Sequence, residues 1–204
     1  IYSVEKFLMA RRFMYWQVYL HKTGVVAEQL LISILKRARF LIKNGTTLNC
    51  SKALLYFLSQ HIDKSNFDRV TLAKFAKLDD VDILAALKEW QYADDFVLST
   101  LCEMILNRKL LDIKLKKEPI NETKFKNKFN KIKKLYKLTD EETSYFVFTG
   151  ELKNKAYDRE HQNINILRKN GKITDVAKLS DHLNLNALSK TVTKYYMCYP
   201  KEAV

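Results

Sequence analysis

Residues that interrupt regular secondary structure are scarce in this chain, and their scarcity limits the folds open to it. Only 4 Gly and 2 Pro occur among 204 residues, which excludes collagen-like and Gly-rich low-complexity chains. Apolar residues recur at helical spacing over 2–22 and 25–43, which predicts two long amphipathic helices. Further helices are predicted over about 51–61, 71–76, 83–90 and 94–109. We therefore predict a mainly α fold, with a helical N-terminal part at 1–115.

The pattern changes after Leu115, and a smaller α+β part is predicted at 116–204. A Lys-rich helix is predicted over roughly 121–137, and a helix or two short turns over 179–188. The predicted β segments are 145–149, a hairpin of 164–167 with 172–176, and a last strand at 192–199. Asn170-Gly171 is the turn dipeptide of that hairpin.

The net charge of +13 is concentrated in one short stretch. Residues 1–115 carry 17 basic and 12 acidic side chains (+5), residues 116–137 nine Lys and two Glu (+7), and residues 138–204 ten basic and nine acidic (+1). The Lys-rich helix also has an apolar stripe, formed by Phe125, Phe129, Ile132, Leu135 and Tyr136. We favour a solvated basic helix docked through that stripe. The alternative is a basic wall that attracts the phosphates of a nucleotide or a nucleic acid.

Several classes of protein and site are excluded or disfavoured. No apolar run reaches the ~18 residues of a membrane-spanning helix, so no membrane partner is expected. Three widely spaced Cys suit a reducing, cytoplasmic location. The sequence has no HExxH, GxxxxGK, GxGxxG or GxSxG motif. We therefore expect no metal ligand and no catalytic residue in this chain. Asp79, Asp80 and Asp82 are interpreted as helix caps rather than as a metal cluster.

One segment, Arg11 to Lys22, mixes cations with Tyr, Trp and His. At 100° per residue, Tyr15 lies about 40° from Arg11, Lys22 about 20°, Tyr19 about 80° and His21 about −80°. Arginine can clamp phosphate oxygens and tyrosine can stack on a sugar or base. Arg11 and Lys22 lie about 16 Å apart along a continuous helix, so they should serve two different anions. The alternative is a core helix with snorkelling cations and buried aromatic residues.

This segment resembles the HD-domain phosphohydrolases, in particular their deoxynucleoside triphosphate triphosphohydrolase (dGTPase-like) branch. The likeness rests on an R-x7-Y-x-H-K pattern formed by Arg11 and Tyr19-Leu-His-Lys22, and it extends over Glu5 to Thr23. Weaker likenesses are Leu78 to Asp82, Lys88 to Trp90, Asp95 to Thr100, Asn107 to Leu110, Asn154 to Tyr157 and Lys194 to Lys201. The resemblance implies that the helical part is the C-terminal portion of an HD domain.

The resemblance also implies roles for individual residues. Arg11 would bind the triphosphate of the substrate and Tyr19 would pack on its deoxyribose, with Tyr15 beside them on the same face. His21 and Lys22, and more weakly Arg108, would contact a regulatory nucleotide at a subunit interface. The expected partners are therefore deoxynucleoside triphosphates, a nucleotide effector and further copies in a homo-oligomer.

The metal motif of the family, H…HD…D, is absent, since no His-Asp dipeptide occurs in this sequence. The resemblance therefore implies a C-terminal half whose full-length parent holds a divalent metal such as Mg or Mn. The chain by itself is expected to be inactive. Two other hypotheses stay open at this point: a nucleic-acid-binding module that uses 116–137, and an assembly module without activity.

Overall fold

A computed structural model describes residues 1–154, 163–179 and 191–203 of the chain. The α-helices are α1 Tyr2–Met14, α2 Lys22–Lys43, α3 Lys52–Ser59, α4 Arg69–Phe75, α5 Asp80–Trp90, α6 Phe96–Leu106, α7 Glu122–Tyr136, α8 Asp140–Ser144 and α9 Val176–Leu179. The strands are β1 Asp112–Lys116, β2 Phe148–Asn154, β3 Asn165–Leu167, β4 Ile173–Asp175 and β5 Val192–Tyr199. A π-helical segment, Tyr15–Tyr19, follows α1, and a 3₁₀ turn occupies Lys201–Ala203.

The prediction of a mainly α fold is wrong, because the chain is mixed α+β. The strands form a three-stranded sheet of order β1-β5-β2 and a separate two-stranded sheet of β3 and β4. Strand β1 begins at Asp112, inside the part predicted to be helical, and lies at one edge of the larger sheet beside β5. Its sequence alternates, with Ile113 and Leu115 half-buried and Lys114 and Lys116 exposed, which is the pattern of a strand.

Most other predicted elements are confirmed, several of them with shifted boundaries. Strands β3 and β4 pair antiparallel through Ile166 and Thr174, and Gly171 takes a φ of 77° in the turn between them. The predicted strand at 145–149 instead begins at Phe148, because the Val147 N–H still donates to the Thr143 carbonyl in a helical turn. The predicted helix at 179–188 lies outside the described residues except for Leu179.

Asp79 and Asp82 cap α5, as predicted, whereas Asp80 is the first residue of that helix and makes no capping hydrogen bond within the described part of the chain. Asp79 accepts hydrogen bonds from the backbone N–H groups of Val81 and Asp82, and the Asp82 carboxylate accepts from the Asp79 N–H. This is a capping box, which satisfies N–H groups that would otherwise lack partners. Ser51 caps α3 in the same way through the Leu54 N–H.

Three helices end in the same left-handed C-terminal motif. In α2 the Thr46 N–H donates to the Leu41 carbonyl and Gly45 has a φ of 89°. The equivalent left-handed residue is Arg108 after α6 and Lys137 after α7, each with a φ of 55°. These two basic residues therefore occupy a conformation that glycine adopts at less cost.

The chain divides into two compact units, each assembled from three segments. The first unit comprises Ile1–Val25, Ile113–Phe125 and Thr149–Met197, and the second comprises Val26–Asp112, Lys126–Phe148 and Cys198–Val204. The predicted domain division into 1–115 and 116–204 stays a prediction. No helix among the described residues is long and apolar enough to cross a membrane.

The core of the first unit joins residues that are far apart in the chain. Leu8 of α1 is fully buried and packs in one cluster with Val176 and Ala177 of α9. In the larger sheet, the ring of Tyr196 on β5 occupies the space where any side chain at Gly150 on β2 would lie. Glycine at 150 is therefore required by the close approach of that ring.

The core of the second unit forms along α2. Leu30, Ile34 and Ala38 recur every four residues and are fully buried, as expected for one face of an amphipathic helix. The same face carries Arg37, which is only 6% exposed. Arg37 Nε and Nη2 donate to the two carboxylate oxygens of Asp95 at 3.0 and 2.6 Å. This ion pair ties α2 to the N-terminus of α6.

Candidate functional site

The helix that carries the predicted site is interrupted. Regular α-helix ends at Met14, and the Leu20 N–H donates to the Tyr15 carbonyl at 2.7 Å, a bond of the π-helical type that spans five residues. The chain leaves the helix at Leu20, and Lys22 begins α2. The premise of one continuous helix from Arg11 to Lys22 is therefore wrong. The inference of two anions 16 Å apart along one axis loses its geometric support.

The structure does bring together the three residues predicted to bind substrate. The guanidinium carbon of Arg11 lies 5.5 Å from the ring centroid of Tyr15, within the range of a cation–π contact. The rings of Tyr15 and Tyr19 meet edge to face, with centroids 5.3 Å apart and planes inclined by 62°. Arg11 and Tyr15 are partly buried, whereas Tyr19 is 61% exposed. The three side chains form a continuous row from the α-helix into the π-helical segment.

This row borders an open concave surface of about 600 Å³. Its lining consists of Phe7, Ala10, Arg11, Met14, Tyr15 and Tyr19, all from one helical stretch. Arg11 supplies the only cation of that lining, and its guanidinium forms no hydrogen bond or ion pair within the described part of the chain. An arginine with its N–H donors available beside two phenol rings can bind an anion that also carries a planar or sugar group.

Sequence reasoning missed a contact that supports this helical stretch from the sheet. The ammonium of Lys194 on β5 lies 3.9 Å from the ring centroid of Trp16, in the π-helical segment. Trp16 is half-buried. No local pattern could reveal the contact, because the two residues are 178 positions apart. Trp16 directly follows Tyr15 in the chain, so this contact lies beside the row of Arg11, Tyr15 and Tyr19.

The residues predicted to bind an effector are divided between the two units. His21 lies in the break, where its Nδ1 accepts a hydrogen bond from the Thr23 N–H at 3.4 Å, and both His21 and Lys22 are exposed. Arg108 is also exposed, but it belongs to the second unit, where it occupies the left-handed position after α6. A role for these residues in binding an effector stays a prediction.

The Lys-rich helix α7 docks through its apolar stripe, as favoured from the sequence. Ile132 is fully buried and Phe125, Phe129 and Tyr136 are half-buried, although Leu135 is 52% exposed. Several of its lysines are held by protein groups. Lys128 donates to the Ala203 carbonyl at 2.7 Å, and Lys133 pairs with Asp140 at 2.8 Å. Lysines engaged in this way have fewer donors left for the phosphates of a nucleic acid.

No group of three His, Cys, Asp or Glu side chains among the described residues could hold a metal ion. His61 is exposed and lies 3.7 Å from Asp63. His161 and His182 lie outside the described residues. The side chains of the described parts therefore offer no ligand set for the divalent metal that the resemblance assigns to the full-length parent.

Comparisons with known proteins show what this chain is similar to. No family model matches the chain. The chain is 26% identical over 211 residues to the uncharacterized protein YwfO of Bacillus subtilis. This alignment covers 100% of this chain and 46% of YwfO. The chain is 44% identical to a phosphohydrolase of Bacteroides thetaiotaomicron whose crystal structure is known, with a TM-score of 0.87 over 97% of this chain and 50% of that protein.

The chain thus spans about half the length of the proteins it matches. At 44% identity and a TM-score of 0.87, the likeness to the phosphohydrolase extends to sequence as well as fold. It is consistent with an HD-type phosphohydrolase and does not single out the dGTPase-like branch. Over nearly its whole length, the chain is similar to one half of a bacterial phosphohydrolase, which supports a phosphohydrolase-type function.

Proposed function

We propose that this chain is the part of an HD-type phosphohydrolase that binds the phosphates of its substrate, and that the substrate is a deoxynucleoside triphosphate. The whole protein would release a deoxynucleoside and triphosphate. The observation that carries the proposal is Arg11, the cation of the concave surface, which is held against Tyr15 and has no anionic partner in the described structure. The similarity to a phosphohydrolase over 97% of the chain supports the reaction class.

The proposed role of Arg11 is electrostatic. Its planar guanidinium can donate two parallel hydrogen bonds to phosphate oxygens and stabilise charge that builds up on them during hydrolysis. Contact with the face of Tyr15 restricts the side chain before the substrate arrives. Tyr19, which is exposed beside Tyr15, is positioned to pack on the deoxyribose. The attacking water and the metal would be handled by residues outside the described parts.

Binding to the 204-residue chain tests the site without requiring hydrolysis. We expect dGTP to bind in isothermal titration calorimetry and Arg11→Ala to weaken that binding at least about tenfold, by loss of charge-assisted hydrogen bonds. Deoxyguanosine, which lacks phosphates, should bind equally to both proteins. Arg12→Ala is the matched control, because it removes a neighbouring cation that does not line the concave surface. Equal dGTP affinity in the chain and in Arg11→Ala would contradict the proposed role of Arg11.

Activity is tested separately, on the longer protein with Mn or Mg. We expect stoichiometric release of triphosphate from dGTP, measured by ion chromatography, and a lower kcat/KM in Arg11→Ala. Tyr19→Ala should reduce the preference for dGTP over GTP, since Tyr19 would no longer fill the space beside C2′ of the sugar. Release of orthophosphate or pyrophosphate instead of triphosphate would overturn the substrate assignment while leaving a phosphohydrolase reaction in place.

A further inference from the structure

The π-helical segment Tyr15–Tyr19 has little packing of its own. None of its five residues is fully buried, and Gln17, Val18 and Tyr19 are exposed. Turns of this type are rare and occur frequently at functional sites. A segment with so little buried surface opens easily unless another element holds it. The geometry of its two tyrosine rings therefore depends on what contacts the segment from outside.

Trp16 connects the segment to the larger sheet through Lys194. The distance of 3.9 Å between the Lys194 ammonium and the Trp16 ring centroid is the shortest cation–ring distance in the described parts of the chain. Both side chains are half-buried, and a cation–π contact strengthens as water is removed from it. The two residues belong to the same compact unit, so the contact is internal to the unit that carries Arg11.

Lys194 extends from the best-supported strand of the larger sheet. Strand β5 is the middle strand in the order β1-β5-β2, so it is hydrogen-bonded on both sides. Side chains alternate along a strand, which places Lys194 and Tyr196 on the same face of β5. Tyr196 is buried, with its ring against Gly150 of β2. The backbone that carries Lys194 is therefore fixed from both sides and by the packing of Tyr196.

We propose that Lys194 is a positioning residue for the substrate site. It acts through Trp16, which lies inside the turn closed by the Leu20 N–H and the Tyr15 carbonyl. Holding that turn keeps the ring of Tyr19 beside that of Tyr15 before a ligand arrives, so less ordering remains for the binding step. The inference rests on the proposed function, because it gives Lys194 a part in selecting the sugar through Tyr19.

Hydrogen exchange of the Leu20 amide, followed by NMR, tests the positioning without a ligand. The Leu20 N–H donates to the Tyr15 carbonyl, so its exchange rate reports how often the π turn opens. Lys194→Met should raise that rate about three- to tenfold by loss of the cation–π contact, whereas Lys194→Arg should leave it nearly unchanged. Lys114→Met is the matched control, because Lys114 is exposed on the neighbouring strand β1.

Calorimetric titrations then test whether the turn matters for the sugar. Lys194→Met should weaken dGTP binding about three- to tenfold and reduce the preference for dGTP over GTP. Its affinity for inorganic triphosphate should change less than about twofold, because Arg11 lies on α1, outside the turn. Trp16→Leu, which keeps the ammonium, should give the same pattern. Weaker triphosphate binding in Lys194→Met but not in Trp16→Leu would indicate a direct phosphate contact and overturn the inference.

The two readouts separate this inference from the proposed function. A chain that binds neither dGTP nor inorganic triphosphate would refute the proposed function, and the role of Lys194 at a substrate site with it. A chain that binds dGTP would refute the inference alone if Lys194→Met left the Leu20 exchange rate unchanged. An unchanged preference for dGTP over GTP in Lys194→Met would do the same.

Discussion

The ion pair between Arg37 and Asp95 offers the sharpest test of what stabilises the second unit. Asp95 has two functions, because its carboxylate receives Arg37 and also accepts the Leu98 N–H at 2.7 Å as the N-cap of α6. Arg37 has a second, more distant carboxylate neighbour, because Glu142 lies 3.7 Å from its guanidinium. Substitutions at 95 can separate these functions, since asparagine also caps helices well whereas alanine does not.

Asp95→Asn should lower the free energy of unfolding by roughly 2–4 kcal/mol, because a guanidinium that is 6% exposed loses its charged partner. Asp95→Ala should cost about 1 kcal/mol more through loss of the cap. Arg37→Met should cost less than Asp95→Asn, because the Asp95 side chain is 18% exposed and keeps its bond to Leu98. Urea denaturation followed by circular dichroism measures all three variants and the double variant Arg37→Met/Asp95→Asn. A coupling energy near zero in this cycle would refute the reasoning.

The pH dependence provides an independent check. Burial favours the neutral form of Asp95, but the hydrogen bonds from Arg37 and Leu98 and the charge of Arg37 outweigh it, so the pKa of Asp95 is lowered. A carboxylate with a lowered folded-state pKa stabilises the fold fully above its unfolded pKa of about 4, and the contribution disappears as the pH falls through the folded value. Asp95→Asn should therefore flatten the loss of stability in acid. An unchanged acid slope would assign that loss to other groups.

Three further predictions concern stability and reactivity. Gly150→Ala should lower the free energy of unfolding by about 1–3 kcal/mol, because the new methyl group would overlap the Tyr196 ring. Gly24→Ala should raise it by up to about 1 kcal/mol, because Gly24 lies in α2 and has only ordinary contacts. Urea titrations of both variants measure the difference. Gly45→Ala should lower the free energy of unfolding by about 1 kcal/mol, because residue 45 has a left-handed conformation. Lys137→Gly should be neutral or stabilising, because it relieves the strain at a φ of 55° but increases the entropy of the unfolded chain. Melting temperatures of both variants test these expectations. Burial raises the pKa of Cys102 and Cys198 to about 12. At pH 8, Ellman's reagent should therefore modify the half-buried Cys50 first and the other two cysteines only in denaturant. Rapid reaction of all three cysteines in the folded chain would contradict this expectation.

How far the sequence predicts this protein depends on how local each feature is. The capping box of Asp79 and Asp82 was predictable, because its hydrogen bonds connect residues three positions apart. The row of Arg11 and Tyr15 was predictable for the same reason, since residues four apart share a helix face. Strand β1 was missed because its neighbour in the sheet, β5, begins 76 residues after β1 ends. The apolar residues of this segment were therefore assigned to the helical part that precedes it.

The features missed at the candidate site have a similar origin. A π turn has no established sequence signal. It ended the helix at Leu20, before the Lys22 that helical spacing had placed on the same face as Arg11. The exposure of apolar residues on α4 and α5 was missed because helical spacing identifies an apolar face without telling whether that face is buried. Phe75 and Val81 fit a core pattern, and yet both are exposed.

The packing of α1 against α9 sets the order of events during synthesis. Val176 and Ala177, the partners of Leu8 in the core cluster, are translated almost 170 residues after Leu8. At about 5–20 residues per second, that interval lasts roughly 10–30 s. During that time the apolar face of α1 is outside the ribosome without its native partner, which makes it a natural binding segment for a chaperone. The second unit takes most of its chain from one uninterrupted stretch, Val26–Asp112, and can begin to form its core well before the first unit closes.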